Sequence, residues 1–205
     1  MKSKAEEIVP QQATGAQSNT ESTATFDTIE QAKVFFETVK SRLLQIGDWH
    51  QLAGKGTADF SLTDANGNSV NRTPQKGDHL KIDIPGPGPQ TGDGFDWVQV
   101  EEVEETAEGD VECLAMRVRP ATNPQNEKGD VAHFFSDEAT SNFVVKREGT
   151  TITAAVYGRN EKPNTAAEKV VDKARNTAVA TGAVGGFSKL QWKSLVNGFV
   201  KKEGV

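Results

Sequence analysis

The side chains best suited to chemistry crowd into one stretch. His133 is followed by Ser136, Asp137 and Glu138, and Arg159 and Glu161 lie beyond the next two apolar runs. An imidazole held by a carboxylate is a minimal general acid–base pair. His133, oriented by Asp137 or Glu138, is therefore the candidate catalytic set of a hydrolase-like enzyme. The same residues also suit plain loop polarity, with Ser136-Asp137-Glu138 opening a helical turn. None of the spacings matches a catalytic motif, so the enzyme ranks last of three readings.

Other motifs carry less. His50, His79 and His133 show no ligand spacing, so no metal site and no cofactor is expected. Asp64 to Asn68 superficially resembles a calcium loop, but the required Gly is misplaced and Gln75 stands where a bidentate Glu belongs. Gly54-Lys55-Gly56-Thr57 lacks the upstream Gly and the preceding strand of a phosphate loop. Cys113, the single cysteine, sits in a strand pattern with no charge partner in sequence and is expected to be inert. Arg117 and Arg119 share a strand face. They either bind an anion or pair across strands with a carboxylate such as Glu101, and the second reading is preferred.

Composition narrows the partners. The 205-residue chain carries a net charge of −6, a poor match for nucleic acid, and it has no basic run. One thiol makes no internal disulfide, so a packed core must hold the fold. The N-terminus has no apolar leader and no stretch is long enough to span a membrane, which points to a cytoplasmic location. Hydrophobic residues make up 35 %, low enough to expect an unfolded portion. Residues 1–25, rich in Gln, Ser, Thr, Ala and Glu, are assigned to a disordered tail, and 26–205 to one α+β domain.

The elements that position these groups follow from periodicity. Ile29, Ala32, Phe35, Phe36, Val39, Leu43 and Ile46 recur at helical spacing, predicting a helix over 28–46 with Asp27 and Glu30 as a capping box. Alternation then predicts strands around Phe60–Leu62, Val70, Leu80–Ile84, Phe95–Val103 and Asp110–Arg119. Glu101 to Glu108 reads as an acidic bend. The clearest hairpin runs from Phe143 to Val156 around Glu148-Gly149, with Lys146 and Arg147 facing water or a neighbouring strand. Two C-terminal helices follow. One is capped by Thr165 and Glu168 and has a small-residue face including Ala167, Ala174 and Ala178. The other is capped by Ser188 and Gln191, stapled by Phe187 and Trp192, and preceded by a Gly-rich hinge.

Strands grouped between helices indicate α+β with an antiparallel sheet of about seven strands, curved or barrel-like, one N-terminal helix and two C-terminal helices. By element order alone, the sheet either wraps the C-terminal helix, as in helix-grip ligand-binding folds, or closes over residues 55–120 as a small barrel. The first is preferred. The leading functional reading is a non-enzymatic protein that binds a small apolar or amphipathic molecule between sheet and C-terminal helix. Trp97, Phe143 and Trp192 would line the pocket, and Arg117 and Arg159 would meet a polar group. The alternative is an adaptor that docks on a protein partner through the last helix or a sheet edge.

Overall fold

The computed structural model describes residues 4–54, 56–85, 88–126, 129–165 and 183–202. Its centre is one seven-stranded, wholly antiparallel sheet. The strands are β1 (Ala16–Thr25), β2 (Asp59–Thr63), β3 (His79–Asp83), β4 (Asp96–Glu108), β5 (Val111–Pro120), β6 (Thr140–Glu148) and β7 (Thr151–Glu161). Their spatial order is β1-β7-β6-β5-β4-β3-β2, so the sheet stays open and 55–120 makes no separate barrel. The α-helices among the described residues are α1 (Ile29–Leu44), α2 (Trp49–Ala53) and α3 (Ala183–Val200). The α+β class is as expected. The expected helix over Ala167–Ala178 lies outside the described residues.

The two faces of the sheet follow from alternation. Inward lie Leu80 and Ile82, Val98 and Val100, Leu114, Met116 and Val118, Phe143 and Val145, then Ile152, Ala154 and Val156. All are buried. They pack with Phe36, Val39 and Leu43 of α1 and Leu195, Val196 and Phe199 of α3 in one core. Trp49 sits at its centre, fully buried, with its ring centroid 4.7 Å from Phe143 and 5.8 Å from Phe199. Its indole nitrogen donates to the carbonyls of Arg42 and Leu43 at the end of α1. Gly198 allows α3 to approach α2, since a Cβ there would press on the Leu52 backbone.

Several expectations are corrected. Residues 4–25 are not a disordered tail: Lys4–Ile8 forms a 3-10 turn and Ala16–Thr25 pairs with β7 from Ala16↔Glu161 to Thr25↔Thr151. The count of seven strands holds only because β1 replaces the strand expected at Val70, where a single bridge, Thr63↔Ser69, forms. The acidic stretch is no bend. β4 continues to Glu108 and turns at Gly109, because its carboxylates find cations: Glu105 meets Lys40 and Glu102 meets Arg117. Thr28, not Asp27, caps α1 by accepting from Gln31 N. Ser188 lies inside α3, which begins at Ala183, so the expected hinge from Ala183 onward is helical. Of the two expectations for Arg147, the neighbouring strand is the one found and not water: it shares the inward face of Phe143 and Val145, is fully buried, and donates to its cross-strand partner Glu112 of β5 at 2.5 Å.

The outer face is covered where it is apolar. Ala5 and Ile8 of the N-terminal turn pack over Cys113, Ala115 and Val144. Glu6 pairs with Lys146 at 3.3 Å, and Arg117 Nη1 donates to the Ile8 carbonyl at 2.7 Å. No helix among the described residues is long and apolar enough to cross a membrane.

Candidate functional site

Between the inner face of the sheet and the middle of α3, at Gln191 and Trp192, lies an apolar cleft. Its floor is Phe60, Ile82, Val118 and Phe143, one wall is Trp192 of α3, and the other is His133-Phe134-Phe135. The free space is about 50 Å³, several times the roughly 10–15 Å³ that one water requires on such a measure. Phe60, Phe143 and Trp192 form an aromatic run, with centroids 6.1 Å (Phe60–Trp192) and 5.4 Å (Phe143–Trp192) apart.

The wall at His133 is held from both sides. Phe134 N donates to Asp96 Oδ1 at 3.1 Å, and Asn164 N donates to the Phe134 carbonyl at 2.8 Å. The buried Asn164 amide also donates to the carbonyls of Val131 and His133. Ser136 N donates to the Lys162 carbonyl, and Phe135 bridges to Pro163. The chain leaving β7 therefore straps the segment that precedes β6, and both close the same end of the cleft.

Among the described residues, four polar ones line this apolar space: His133, Ser141, Glu161 and Gln191. Gln191 is buried, and its Oε1 accepts from Ala58 N at 2.7 Å. That contact fixes the orientation of the amide, because a backbone N–H requires the oxygen. Nε2 is left buried with no hydrogen-bond partner among the described residues. Glu161 Oε1 accepts from the Ser18 hydroxyl at 3.0 Å. Burial raises the Glu161 pKa, against the opposing pull of the Ser18 hydrogen bond and the Arg159 charge. Gly158 makes room for this carboxylate, since a Cβ there would collide with Glu161 Oε1 and the Ser18 hydroxyl.

Phe135, Glu161 and Trp192 also border a second space, a groove of about 400 Å³ between β1 and α3 that includes Ser18 and Lys189. The cleft and the groove share these three residues, which makes them the mouth.

Only some of the sequence candidates meet here. Phe143, Trp192 and His133 line the cleft. Trp97 does not: it pairs with Lys81 on the outer side, and its indole donates to the Gly92 carbonyl at 3.2 Å. Arg117 is also outward, bound to Glu101 at 2.7 Å and Glu102 at 3.0 Å. Arg119 meets Glu101 at 2.5 Å, so the preferred cross-strand pairing is the one found. A register shift between Val100 and Glu102 bulges Glu101 from β4 toward both arginines. Burial opposes the Glu101 charge, yet hydrogen bonds and charge from the two arginines outweigh it and lower the pKa. Arg159 stays outside as well, donating to Ser18 O, Asn19 Oδ1 and Gly158 O.

The catalytic candidates separate. His133 is buried, stacks on Phe134 at 4.2 Å and accepts from Phe135 N at Nδ1. Asp137 and Glu138 are exposed; Glu138 pairs with Lys162 at 2.8 Å, and the Asp137 carbonyl accepts from Arg119. Sequence reasoning missed Glu161 and Gln191 as cleft groups. In sequence, Glu161 is one of several polar residues at a strand exit, and Gln191 reads as a helix cap.

No protein-family model matches the chain. No curated protein matches it either. A hypothetical protein of Helicobacter pylori, jhp0584, superposes with a TM-score of 0.51 at 14 % identity, covering 91 % of this chain and 87 % of that one. A major latex-like protein of Panax ginseng gives 0.34 at 12 % identity over 84 % and 97 % of the two chains. The di-domain ARO/CYC BexL from the BE-7585A biosynthetic pathway gives 0.34 at 15 %, over 91 % and 51 %. The first likeness shows a shared fold; the other two are too loose to carry an argument.

Proposed function

We propose that the chain is a non-enzymatic binding protein for a small apolar or amphipathic molecule, held in the cleft between the sheet and α3. The observation that supports this reading is an aromatic-lined space that keeps a few polar groups, one of them an unpaired buried donor. The space is narrow. A larger ligand enters by displacing Phe135 or Trp192, both half-buried at the mouth.

The adaptor alternative docks through the last helix or a sheet edge; on the helix, Leu195 and Phe199 are buried, which leaves the edges of the open sheet for it. The enzyme alternative needs a His133–carboxylate pair with Asp137 or Glu138, and those two carboxylates face solvent.

The test is binding of a neutral, environment-sensitive dye such as Nile red to wild type and to Ser141→Phe, which fills the cleft from its floor. The reading expects saturable binding by wild type and at least tenfold weaker binding by the variant. Equal binding by both places the dye elsewhere and refutes the reading.

A further inference from the structure

We propose that the cleft selects an uncharged apolar compound bearing an oxygen, such as an alcohol or ketone, over the matching carboxylate. Gln191 Nε2 would donate to that oxygen, and Glu161 would exclude the anion. The inference rests on the ligand-binding reading above and adds the chemical class of the ligand.

Three features carry it. The first is the orphan donor. Gln191 is 3 % exposed, its oxygen is committed to Ala58 N, and its Nε2 lies buried beside an apolar cleft without a partner among the described residues. A buried donor left unpaired costs free energy that an acceptor oxygen on a ligand removes. A hydrocarbon leaves that cost in place.

The second is the charge inventory. The described residues lining the cleft include no Lys or Arg. Among these residues an anionic headgroup would find no cation, and Glu161 would stand beside it. Desolvating a carboxylate in such a place is strongly unfavourable. An alcohol oxygen accepts from Gln191 and keeps a proton to give to Glu161.

The third is how firmly Glu161 is placed. Gly158 provides the gap in which its carboxylate sits, and Ser18 of the edge strand donates to it. The nearby cations lie elsewhere. Arg159 is on the outer side, bound to Ser18 O and Asn19. Lys162 pairs with Glu138, and Lys189 stands exposed in the outer groove. Lys189 defines the rival arrangement, an anion held at the mouth with only its tail inside.

The test compares decanol, decanoate and decane by calorimetric titration of wild type, Gln191→Glu, Glu161→Gln and Lys189→Ala at mildly alkaline pH. Gln191→Glu keeps an acceptor for Ala58 N but removes the donor. Glu161→Gln keeps an acceptor for Ser18 but removes the charge. The proposal expects wild type to bind decanol about tenfold tighter than decanoate or decane. Gln191→Glu should lose that advantage over decane, and Glu161→Gln should bring decanoate toward decanol. Thermal melts of each variant report folding, and the wild-type series decides the matter even if a variant fails to fold. Decanoate equal to or tighter than decanol overturns the proposal; its loss in Lys189→Ala would place the headgroup at the mouth. Decanol no tighter than decane also overturns it, leaving a ligand site without oxygen selection. No binding by any of the three refutes the ligand-binding reading itself.

Discussion

The Ser18 hydroxyl donates a 3.0 Å hydrogen bond to Glu161 Oε1, joining the edge strand β1 to the last residue of β7 at the mouth of the cleft. The chain between them spans most of the domain. The contact explains why the N-terminal strand matters to the site: without β1 the carboxylate loses its donor and the outer groove loses a wall.

Gly158→Ala should break this arrangement. The added methyl meets both Glu161 Oε1 and the Ser18 hydroxyl. Overpacking of this kind costs about 1–3 kcal/mol. Urea unfolding should show that loss together with altered ligand affinity, and an unchanged midpoint would mean the pocket yields freely.

The pH dependence of stability follows from Glu161. Unfolded, the group titrates near its ordinary 4.5, while folded it titrates higher because it is buried. Between those two values the folded state holds more protons. Its contribution is therefore full below about 4.5 and is lost as pH rises through the folded pKa. The stability of wild type relative to Glu161→Gln should fall across that interval. A difference that stays flat from about pH 4 to about pH 8 would contradict the assignment.

The sheet and its inner core were legible because they follow period two. Phe143 and Val145, Ile152 to Val156, and Leu114 to Val118 all alternate, and all proved buried on one face. β1 was not legible, for a physical reason. AQSNTESTAT has no apolar alternation, since its inward positions Thr20, Ser22 and Ala24 are small. Backbone pairing to β7 and cover by α3 hold it in place. Lys193 and Lys202 donate to the carbonyls of Glu21 and Thr25. Composition cannot show such contacts. The cleft was half legible: Phe143 and Trp192 signal themselves by bulk, whereas Gln191 and Glu161 depend on which loop and helix end meet them. Trp97 misled because an outward aromatic on a covered strand has the same pattern as an inward one.

Arg42 should be the main tie between α1 and α3. This buried side chain donates through Nη1 to the carbonyls of Gly198, Phe199 and Lys201, where the helix end leaves acceptors unpaired. Arg42→Met is expected to cost about 2–3 kcal/mol in chemical denaturation. A loss below about 0.5 kcal/mol would show that apolar packing alone seats the helix.

Cys113 reports on the N-terminal turn. It is fully buried in a cluster with Ala5 and Ile8. Native protein should resist a thiol reagent, and Ile8→Glu should raise the labelling rate about tenfold or more by opening that cover. Rapid labelling of the native chain would show that the turn does not protect the outer face.

The most direct test of the ligand site is native mass spectrometry of protein purified from its own host, repeated after denaturation, for wild type and Ser141→Phe. The account predicts an additional apolar mass on wild type that denaturation releases, and its absence from the cleft-filled variant. A wild-type chain that carries no such mass, or a variant that carries it equally, would contradict a ligand held between the sheet and α3.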